Sequence, residues 1–448
     1  MARAWRLVGA EIYENADAAD QLSVSVASRF PPRVVAVMLR CNMTLPPRSL
    51  AFALLIAGLA ALPPLSIDMG LPAMNAMGVA LAAPASLTGL TLSLYMAGFA
   101  LAQLAFGPLS DRLGRRAPLI GACALYTAAG LFCALAGGIG TLLVWRFLQG
   151  AGAGGATVLA FAIVRDSFEG AEARAKMGVI GAVMTIAPMV APSLGALVLR
   201  IGDWRAIFAA LCLAGLALTG LVAFGLAESI PARDAAALSP RRLARSYARA
   251  LTHRSALGHS LLGALSFGCL FAFVSGSPFV FIGVLGLSPT WFGLLFATTS
   301  LGIMAGSLLC ARLSAKGVDA HRLLAAAVIA QALCALALLT LALLGLFVVA
   351  DALPLLVLAN VAMGVVMPLS IHGAMEPFPD MAGVASAVRG CAQMLVGALS
   401  SALVAALFTG TATALPLCMS LFSCASAAAW LAMVRPAEAA ARVEGART

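Results

Sequence analysis

Three ionisable residues stand inside long apolar stretches of the sequence: Asp68, Arg146 and Arg389. A charge in such surroundings is costly, so each is a candidate for function. Apolar surroundings favour the protonated form of an acid, whereas a nearby arginine favours its ionised form. We therefore predict that Asp68 binds and releases a proton, with Arg146 as its modulator. A helix-capping role for Asp68 at a membrane interface is the alternative, and Arg389 has no assigned role.

A second charged cluster lies between the second and third apolar stretches, with the sequence Gly-Pro-Leu-Ser-Asp-Arg-Leu-Gly-Arg-Arg. Its two glycines predict a tight turn. Its charges have possible partners in Asp166, Glu169 and Glu172, or in an exposed helix terminus. The alternative is an ordinary solvated loop. The residues that carry this pattern are Gly107, Asp111, Arg112, Gly114, Arg115 and Arg116.

The composition indicates which elements must position these residues. Of the 448 residues, 62% are hydrophobic and 10% are charged, whereas soluble domains are about 25% charged. Apolar stretches of roughly 20 residues, the length that crosses a bilayer as a helix, recur along the chain. They are rich in Ala, Leu and Gly and do not alternate, which excludes a β-barrel. We predict an all-α integral membrane protein.

Twelve membrane spans are predicted, and Asp68 falls at the outer end of span one. Arg146 falls near the outer start of span four, and Arg389 near the inner start of span eleven. The predicted ranges are 50–70, 85–106, 118–137, 141–164, 177–200, 205–226, 259–283, 288–311, 322–346, 351–373, 383–409 and 413–434.

A polar, arginine-rich segment divides the spans into two groups of six, which suggests an internal repeat of the kind found in transporters. The first residues hold several acids and no apolar run, so we interpret them as a disordered extension or an over-long gene model. The predicted divisions are the extension 1–48, the first half 49–226, the cytoplasmic linker 227–258, the second half 259–434 and the tail 435–448.

The formal net charge of +10 comes from arginines and lysines that mostly fall on one side of the predicted spans. In a membrane protein this bias marks the cytoplasmic side, so both termini are predicted to be cytoplasmic. The same bias removes the reason to expect a nucleic acid partner. The ten cysteines form no C-x-x-C pair and the four histidines are scattered, so no metal site is predicted.

The motifs resemble those of a known family, the major facilitator superfamily. Gly107 to Arg116 fits its signature loop, G-x-x-x-D-R-x-G-R-R, in every fixed position. Arg146 to Gly150 resembles the R-x-x-Q-G motif of its proton-driven members. The span-five segment resembles the antiporter motif, although alanine-proline pairs stand where the family has glycine-proline. The residues that match in this segment are Pro188, Pro192 and Gly195.

Three further segments, 64–73, 162–166 and 376–387, resemble the Bcr/CflA drug-resistance subfamily, which includes exporters of bicyclomycin and chloramphenicol. The resemblance covers about residues 50 to 434. It implies two six-helix halves that rock about a central site. It also implies that Arg112 and Asp166 pair at a cytoplasmic gate, that Asp111 lies beneath span eleven, and that Gln149 joins the network of Arg146. Tyr95 and Gln103 match family positions on span two, and together with Gln149 they are candidates to line the cavity; simple packing is the alternative.

The function predicted from residues and resemblance together is proton-coupled export of small drug-like molecules from a bacterium, across its inner membrane. The expected partners are the substrate, protons and the bilayer, the expected state is a monomer, and no cofactor is expected beyond the proton gradient. No Walker-type sequence is present. Export of a metabolite such as an amino acid or sugar is the alternative. A membrane enzyme is more remote, because the spans hold no cluster of catalytic side chains.

Overall fold

The computed structural model describes residues 45–230, 233–378 and 381–436. Within these residues, twelve helices are long and apolar enough to cross a membrane, which confirms the predicted fold class. Their bounds differ from the predicted spans by several residues at some ends. The twelve spans are Leu50–Ala80, Ala85–Leu113, Arg116–Ala134, Ile139–Ser167, Gly170–Ile201, Trp204–Gly225, Arg254–Val284, Pro289–Ala315, Ala320–Leu343, Val349–Met375, Gly383–Leu407 and Ala414–Val434. Most of the predicted extension and tail lies outside the described residues.

The packing of the first six spans is repeated by the second six. Span one contacts spans four, five and six, as span seven contacts spans ten, eleven and twelve. Span four packs on spans two and three, as span ten packs on spans eight and nine, and span three packs on span six as span nine packs on span twelve. The two halves therefore have the same internal architecture, and each is a six-helix bundle.

Glycines bring the central helices of each half to backbone contact. In the first half, a Cβ added at Gly150 of span four would collide with the carbonyl oxygen of Tyr95 on span two. In the second half, a Cβ at Gly364 of span ten would collide with the carbonyl oxygen of Ile303 on span eight. Because apolar attraction between helices is weak in lipid, such close packing is a main source of stability there.

Span one is interrupted, and the interruption corrects the predicted place of Asp68. Its first helix runs from Leu50 to Asp68, a short 3-10 turn follows at Leu71–Ala73, and a second helix continues to Ala80. The apolar run had predicted an end near residue 70, because Gly70 and Pro72 resemble a helix stop. Asp68 instead lies within the span, at a break in its helix.

The two halves meet along two seams, which we define as the contact of span two with span eleven and that of span five with span eight. At one end of the bundle the halves are also joined by hydrogen bonds. Asn75 Nδ2 donates to the Pro278 carbonyl at 3.2 Å, and Arg200 donates to Thr290 Oγ1 at 3.0 Å. We call this the far end, and the opposite one, where the central segment lies, the linker end.

A short helix at the linker end connects the halves. This linker helix, Pro240–Thr252, is strongly amphipathic and rich in arginine. Tyr247 donates to the Leu104 carbonyl of span two at 2.9 Å. The buried ring of Phe378, in the loop before span eleven, lies 5.3 Å from the ring of His253 just after the helix and 6.0 Å from the guanidinium of Arg249. The linker helix therefore contacts both halves.

Candidate functional site

Asp68 is a buried carboxylate without a partner in the described part of the chain. It is only 4% exposed, and no described residue forms a hydrogen bond or ion pair with its side chain. It lines a cavity between the halves, because the helix of span one ends at this residue. An unpartnered acid that can be reached from a cavity is able to gain and lose a proton without breaking other contacts.

Arg146 is also buried, and all of its contacts lie within the first half. Its Nη1 donates to Gln149 Oε1 at 2.7 Å, its Nη2 to the Ser66 carbonyl at 3.1 Å and its Nε to the Thr91 carbonyl at 3.3 Å. The guanidinium carbon lies 4.4 Å from the centre of the Tyr95 ring. Span four thus ties span one, two residues before Asp68, to span two.

Arg146 was predicted to modulate Asp68, but the structure shows no direct contact between the two side chains. Arg146 and Asp68 form no ion pair, and Arg146 instead holds the backbone of the helical turn that ends at Asp68. Ser66 reinforces this turn, because its hydroxyl donates to the Leu62 carbonyl at 2.7 Å and lies 2.6 Å from Tyr126 Oη of span three. Sequence reasoning assigned no role to Ser66 or Tyr126, because both side chains are neutral and do not stand out in an apolar stretch.

Three further residues were candidates to line the cavity, and the structure places one of them in its lining. Tyr95 lines it. Gln149 is fully buried beside Arg146 and is not among the lining residues. Gln103 packs against Gly390 of span eleven, at the seam between the halves, and is not in the lining either.

The cavity has a volume of about 230 Å³ and is lined by both halves. Most of its surface is apolar, which is usual for sites that bind small organic molecules. Among the described residues that line it, only Asp68 has an acidic or basic side chain. The lining comprises Pro63, Pro64, Ile67, Asp68, Tyr95, Met96, Phe99, Met184, Thr185, Pro188, Phe267, Leu270, Phe271, Phe273, Val274, Phe296, Ser300, Ile303, Asn360, Gln393 and Met394.

The span-five segment lies against the same region. Pro188 lines the cavity, and Pro192 is buried one turn further along. A Cβ added at Gly195 would collide with the carbonyl oxygen of Met69, the residue that follows Asp68. Glycine at this position therefore lets span five approach the break in span one.

Arg115 is the centre of the charged cluster at the linker end. Its guanidinium donates to Asp111 Oδ1 at 2.6 Å, to Ser110 Oγ at 2.6 Å and to Asp166 Oδ2 of span four at 2.7 Å. Partial burial alone would lower the pKa of Arg115, but the two carboxylates outweigh it and raise the pKa above its usual value. The side chain therefore stays charged and fastens span two to span four.

Glu228, just after span six, completes this cluster and was not predicted. Gly114 has a φ of +94°, and a Cβ there would collide with the Glu228 carboxylate. That carboxylate accepts the backbone N–H of Arg115 at 2.7 Å and of Arg116 at 3.4 Å. Partial burial pushes the pKa of Glu228 up, but its four backbone N–H donors outweigh burial and hold the pKa below its usual value.

One contact expected of the cluster is corrected by this geometry. Asp166 pairs with Arg115 and not with Arg112, which is exposed and has no ion pair in the described part of the chain. The carboxylate of Asp111 binds Arg115, and no hydrogen bond joins it to the described residues of span eleven. Glu172, another predicted partner, binds Arg48 instead. Arg116 donates to the Ala223 carbonyl of span six at 2.7 Å. Gly107 lies on span two, and a Cβ added there would meet no neighbouring atom.

Arg389 of span eleven donates to Gln393 Oε1 at 2.7 Å, and its Nε has no partner in the described residues. Among these residues, no group of three or more His, Cys, Asp and Glu side chains is arranged to hold a metal ion. The site thus consists of one unpartnered carboxylate, an arginine that holds its backbone, and a mostly apolar cavity.

Comparison with known proteins shows which family has this arrangement. The model of the Major Facilitator Superfamily matches residues 50–401. An uncharacterized MFS-type transporter of Bacillus subtilis, YdgK, is 35% identical over 357 residues, which are 79% of this chain and 88% of YdgK. A bicyclomycin resistance protein homolog of Haemophilus influenzae is 30% identical over 83% of this chain and 93% of its own length.

Two more comparisons concern a shorter match and the fold. The multidrug resistance protein MdtL of Escherichia coli is 33% identical over 237 residues, 53% of this chain and 60% of MdtL. The crystal structure of a D-xylose-proton symporter has a TM-score of 0.65 at 18% identity and covers 84% of this chain and 97% of its own. A bacterial homologue of the lysosomal transporter Spinster, inward-facing, has a TM-score of 0.66 at 15% identity, and the match covers 86% of this chain and 97% of the homologue.

Proposed function

The chain belongs to the major facilitator superfamily, a family of membrane transporters, and on that premise we propose that it exports small drug-like molecules in exchange for protons. The observation that carries the proposal is the unpartnered Asp68 carboxylate in a cavity between two repeated halves. The names of two relatives, a bicyclomycin resistance protein homolog and a multidrug resistance protein, support a drug-like substrate and the Bcr/CflA type.

Asp68 is the proposed coupling residue. When it is ionised, the cavity carries a negative charge in apolar surroundings, which is costly unless a cation or a proton neutralises it. A proton bound at one face of the membrane removes that cost, and the substrate leaves. Release of the proton at the other face restores the charge. The exchange needs no cofactor, because the proton gradient supplies the free energy.

The proposed role of Arg146 is to position the carboxylate. It donates to the Ser66 carbonyl and lies over the Tyr95 ring, so it fixes the last turn of the helix before Asp68. Its positive charge remains within the same half as Asp68 throughout any movement between the halves. Gln149 orients the guanidinium by accepting from it.

Alternating access would occur at the two seams. The far end is closed by the hydrogen bonds Asn75–Pro278 and Arg200–Thr290. In the opposite state these bonds must break, while the contacts of Arg115 with Asp111 and Asp166 stay within the first half. We propose that the Arg115 cluster braces that half at the linker end.

The linker end is proposed to face the cytoplasm of a bacterium, with the spans in its inner membrane. Arginines and lysines concentrate at the linker end of the bundle. By the positive-inside rule, both termini would then lie in the cytoplasm. We propose a monomer as the transporting unit, because one chain contains both halves and the whole cavity.

The test is drug susceptibility of a pump-deficient bacterial host that expresses the wild type or Asp68→Asn across a chemically broad panel. The expected result is resistance to some compounds that Asp68→Asn abolishes at equal membrane expression. Resistance retained in full by the variant would move the coupling site away from Asp68. No resistance to any compound would overturn drug export and favour export of a metabolite, which metabolite profiling of the medium would then identify.

A further inference from the structure

We infer that the cavity selects a flat aromatic molecule with a protonated, N–H-bearing nitrogen, and that Asn360 of the second half is the residue that recognises the N–H groups. The inference rests on the proposed function, because it names the substrate class of the same site. It is carried by the charge of the lining, the orientation of one amide and the rings that surround them.

The charge of the lining favours a cation. In the part of the chain that the structure describes, Asp68 is the only acidic or basic side chain of the lining. Arg146 lies behind the lining and is bonded to Ser66, Thr91 and Gln149. An anionic molecule would place a second negative charge in a space with few polar groups to solvate it. A neutral molecule gains no charge attraction from Asp68. A molecule with one positive charge neutralises the carboxylate.

The orientation of Asn360 is fixed by its backbone partner. Its Nδ2 donates to the Thr299 carbonyl at 3.0 Å. A carbonyl oxygen can only accept, so the amide cannot be turned the other way round. The Oδ1 atom then has no hydrogen-bond partner among the described residues, although Asn360 is 5% exposed and lines the cavity. This oxygen is a spare acceptor that can bind an N–H group of a ligand in the cavity.

The other polar residues of the lining add no second charge. The Thr185 hydroxyl donates to the Gly181 carbonyl at 2.9 Å. Gln393 Oε1 accepts from Arg389 at 2.7 Å, which leaves only its amide N–H groups for a ligand. Tyr95, Thr185 and Ser300 contribute neutral hydroxyls to the lining. Asp68 of the first half therefore supplies a charged acceptor, and Asn360 of the second half supplies an amide oxygen whose orientation is fixed.

The aromatic residues of the second half fit the body of such a molecule. The rings of Phe267 and Phe271 lie 4.5 Å apart, and those of Phe273 and Phe296 stack at 5.6 Å. Aromatic faces attract cations as well as other rings, so they add to the preference for a charged aromatic compound. Three methionines of the lining, Met96, Met184 and Met394, can adapt to different ring shapes.

Four probes with the same naphthyl group test the selection. They are naphthylethylamine, its trimethylammonium derivative, its N-acetyl derivative and naphthylacetate. Binding to the purified full chain is measured from the anisotropy of naphthyl fluorescence. We expect both cations to bind at least about tenfold more tightly than the neutral and anionic probes, and Asp68→Asn to remove that difference.

Asn360→Leu separates the hydrogen bond from the charge. The variant keeps a side chain of similar size but has no acceptor. A hydrogen bond to a charged group contributes about 1.5–3 kcal/mol, so naphthylethylamine should bind about tenfold more weakly or worse. The trimethylammonium probe has no N–H group, so its affinity should change by less than about twofold, which also verifies that the variant is folded. Thr298→Val, at a half-buried residue of span eight that is not among the lining residues, is the control for both probes.

The outcomes separate this inference from the proposed function. Equal affinity for naphthylacetate and the amine, equal weakening of both cations by Asn360→Leu, or no binding of either cation would overturn the inference. If resistance in the bacterial host still depends on Asp68, export stands and only the substrate class is wrong. Conversely, cation-selective binding without any resistance would leave the inference in place and refute drug export.

Discussion

Each half has a buried hydrogen bond at the corresponding place, but the residue two positions further along the chain differs between the halves. In the first half, the hydroxyl oxygens of Ser66 of span one and Tyr126 of span three are 2.6 Å apart; in the second, Ser266 Oγ of span seven and Gln331 Oε1 of span nine are also 2.6 Å apart. Two residues beyond these serines stand Asp68 and Gly268. The scaffold is repeated, but the acid is present in one half only.

The second half has no room for an acid at the corresponding position. A Cβ added at Gly268 would lie 2.7 Å from the ring of Phe422 and 2.9 Å from Val396. In the first half, the break of span one opens this position to the cavity. We propose a division of work, in which the first half carries the proton-binding acid and the second half supplies much of the aromatic surface of the cavity.

The largest expected effect tests this division directly. Asp68→Asn should lower drug-driven proton release from inverted membrane vesicles by roughly a hundredfold or more, because an amide cannot take up the proton. Asp351→Asn, an equal change at an exposed residue of span ten in the second half, should leave proton release unchanged. Equal losses in the two variants would refute a single coupling acid in the first half.

The next effect compares the two buried arginines. Arg146→Gln leaves the carbonyls of Ser66 and Thr91 without their donor, so we expect unfolding to become easier by about 2–4 kcal/mol. Arg389→Gln removes one described hydrogen bond, to Gln393, and should cost about 1 kcal/mol. Thermal unfolding of the purified variants in detergent measures both. A larger cost for Arg389→Gln would contradict the view that the first half depends more on its arginine.

A smaller effect uses the matched serines. Ser66→Ala and Ser266→Ala should each lower the free energy of unfolding by about 1 kcal/mol, because each removes a buried hydrogen bond of the same length. Transport should respond unequally. Ser66→Ala loosens the turn before Asp68 and should slow export, whereas Ser266→Ala should slow it less. Parallel measurement of unfolding and export rate would show equal transport losses if the halves were functionally equivalent.

The smallest effect concerns Glu228, whose pKa is lowered by its backbone donors despite partial burial. A lowered pKa in the folded state stabilises the protein above the usual pKa of 4.5, and this contribution disappears as the pH falls below that value. Because Glu228 is largely exposed, we expect less than about 1 kcal/mol. The wild type should lose slightly more thermal stability than Glu228→Gln between neutral and acid pH. A larger acid loss in the variant would exclude this role.

The fold could be predicted because its signal is spread over long apolar runs. Twelve spans and two halves follow from hydropathy alone, and the repeat is confirmed by the packing. The end of span one could not be placed, because Gly70 and Pro72 resemble a helix stop and the helix resumes at Met74. Local sequence shows where a helix weakens, but tertiary packing, here of Gly195 against Met69, decides whether it continues.

The site could be predicted only where a charge stood out. Asp68 and Arg146 were identifiable because they interrupt apolar runs. The lack of a direct ion pair between them could not be predicted, because Arg146 binds backbone carbonyls, which are present at every residue. In the same way, consecutive arginines look equivalent in the sequence, and only the position of Arg115 at a helix junction makes it the partner of Asp166. Asn360 is neutral and needed the structure to show its spare oxygen.

The packing at the seam between spans two and eleven suggests a way to trap the protein in a single conformation. Between spans two and eleven, small residues meet the opposite helix: Gly89 faces Ala405, and Gly397 faces Met96. Glycine at these positions lets the two helices approach closely, and a Cβ added at either glycine would collide with the opposite helix. A bulky residue at Gly89 would act as a wedge between rigid bodies, so crystallographers could use such wedges to trap single conformations.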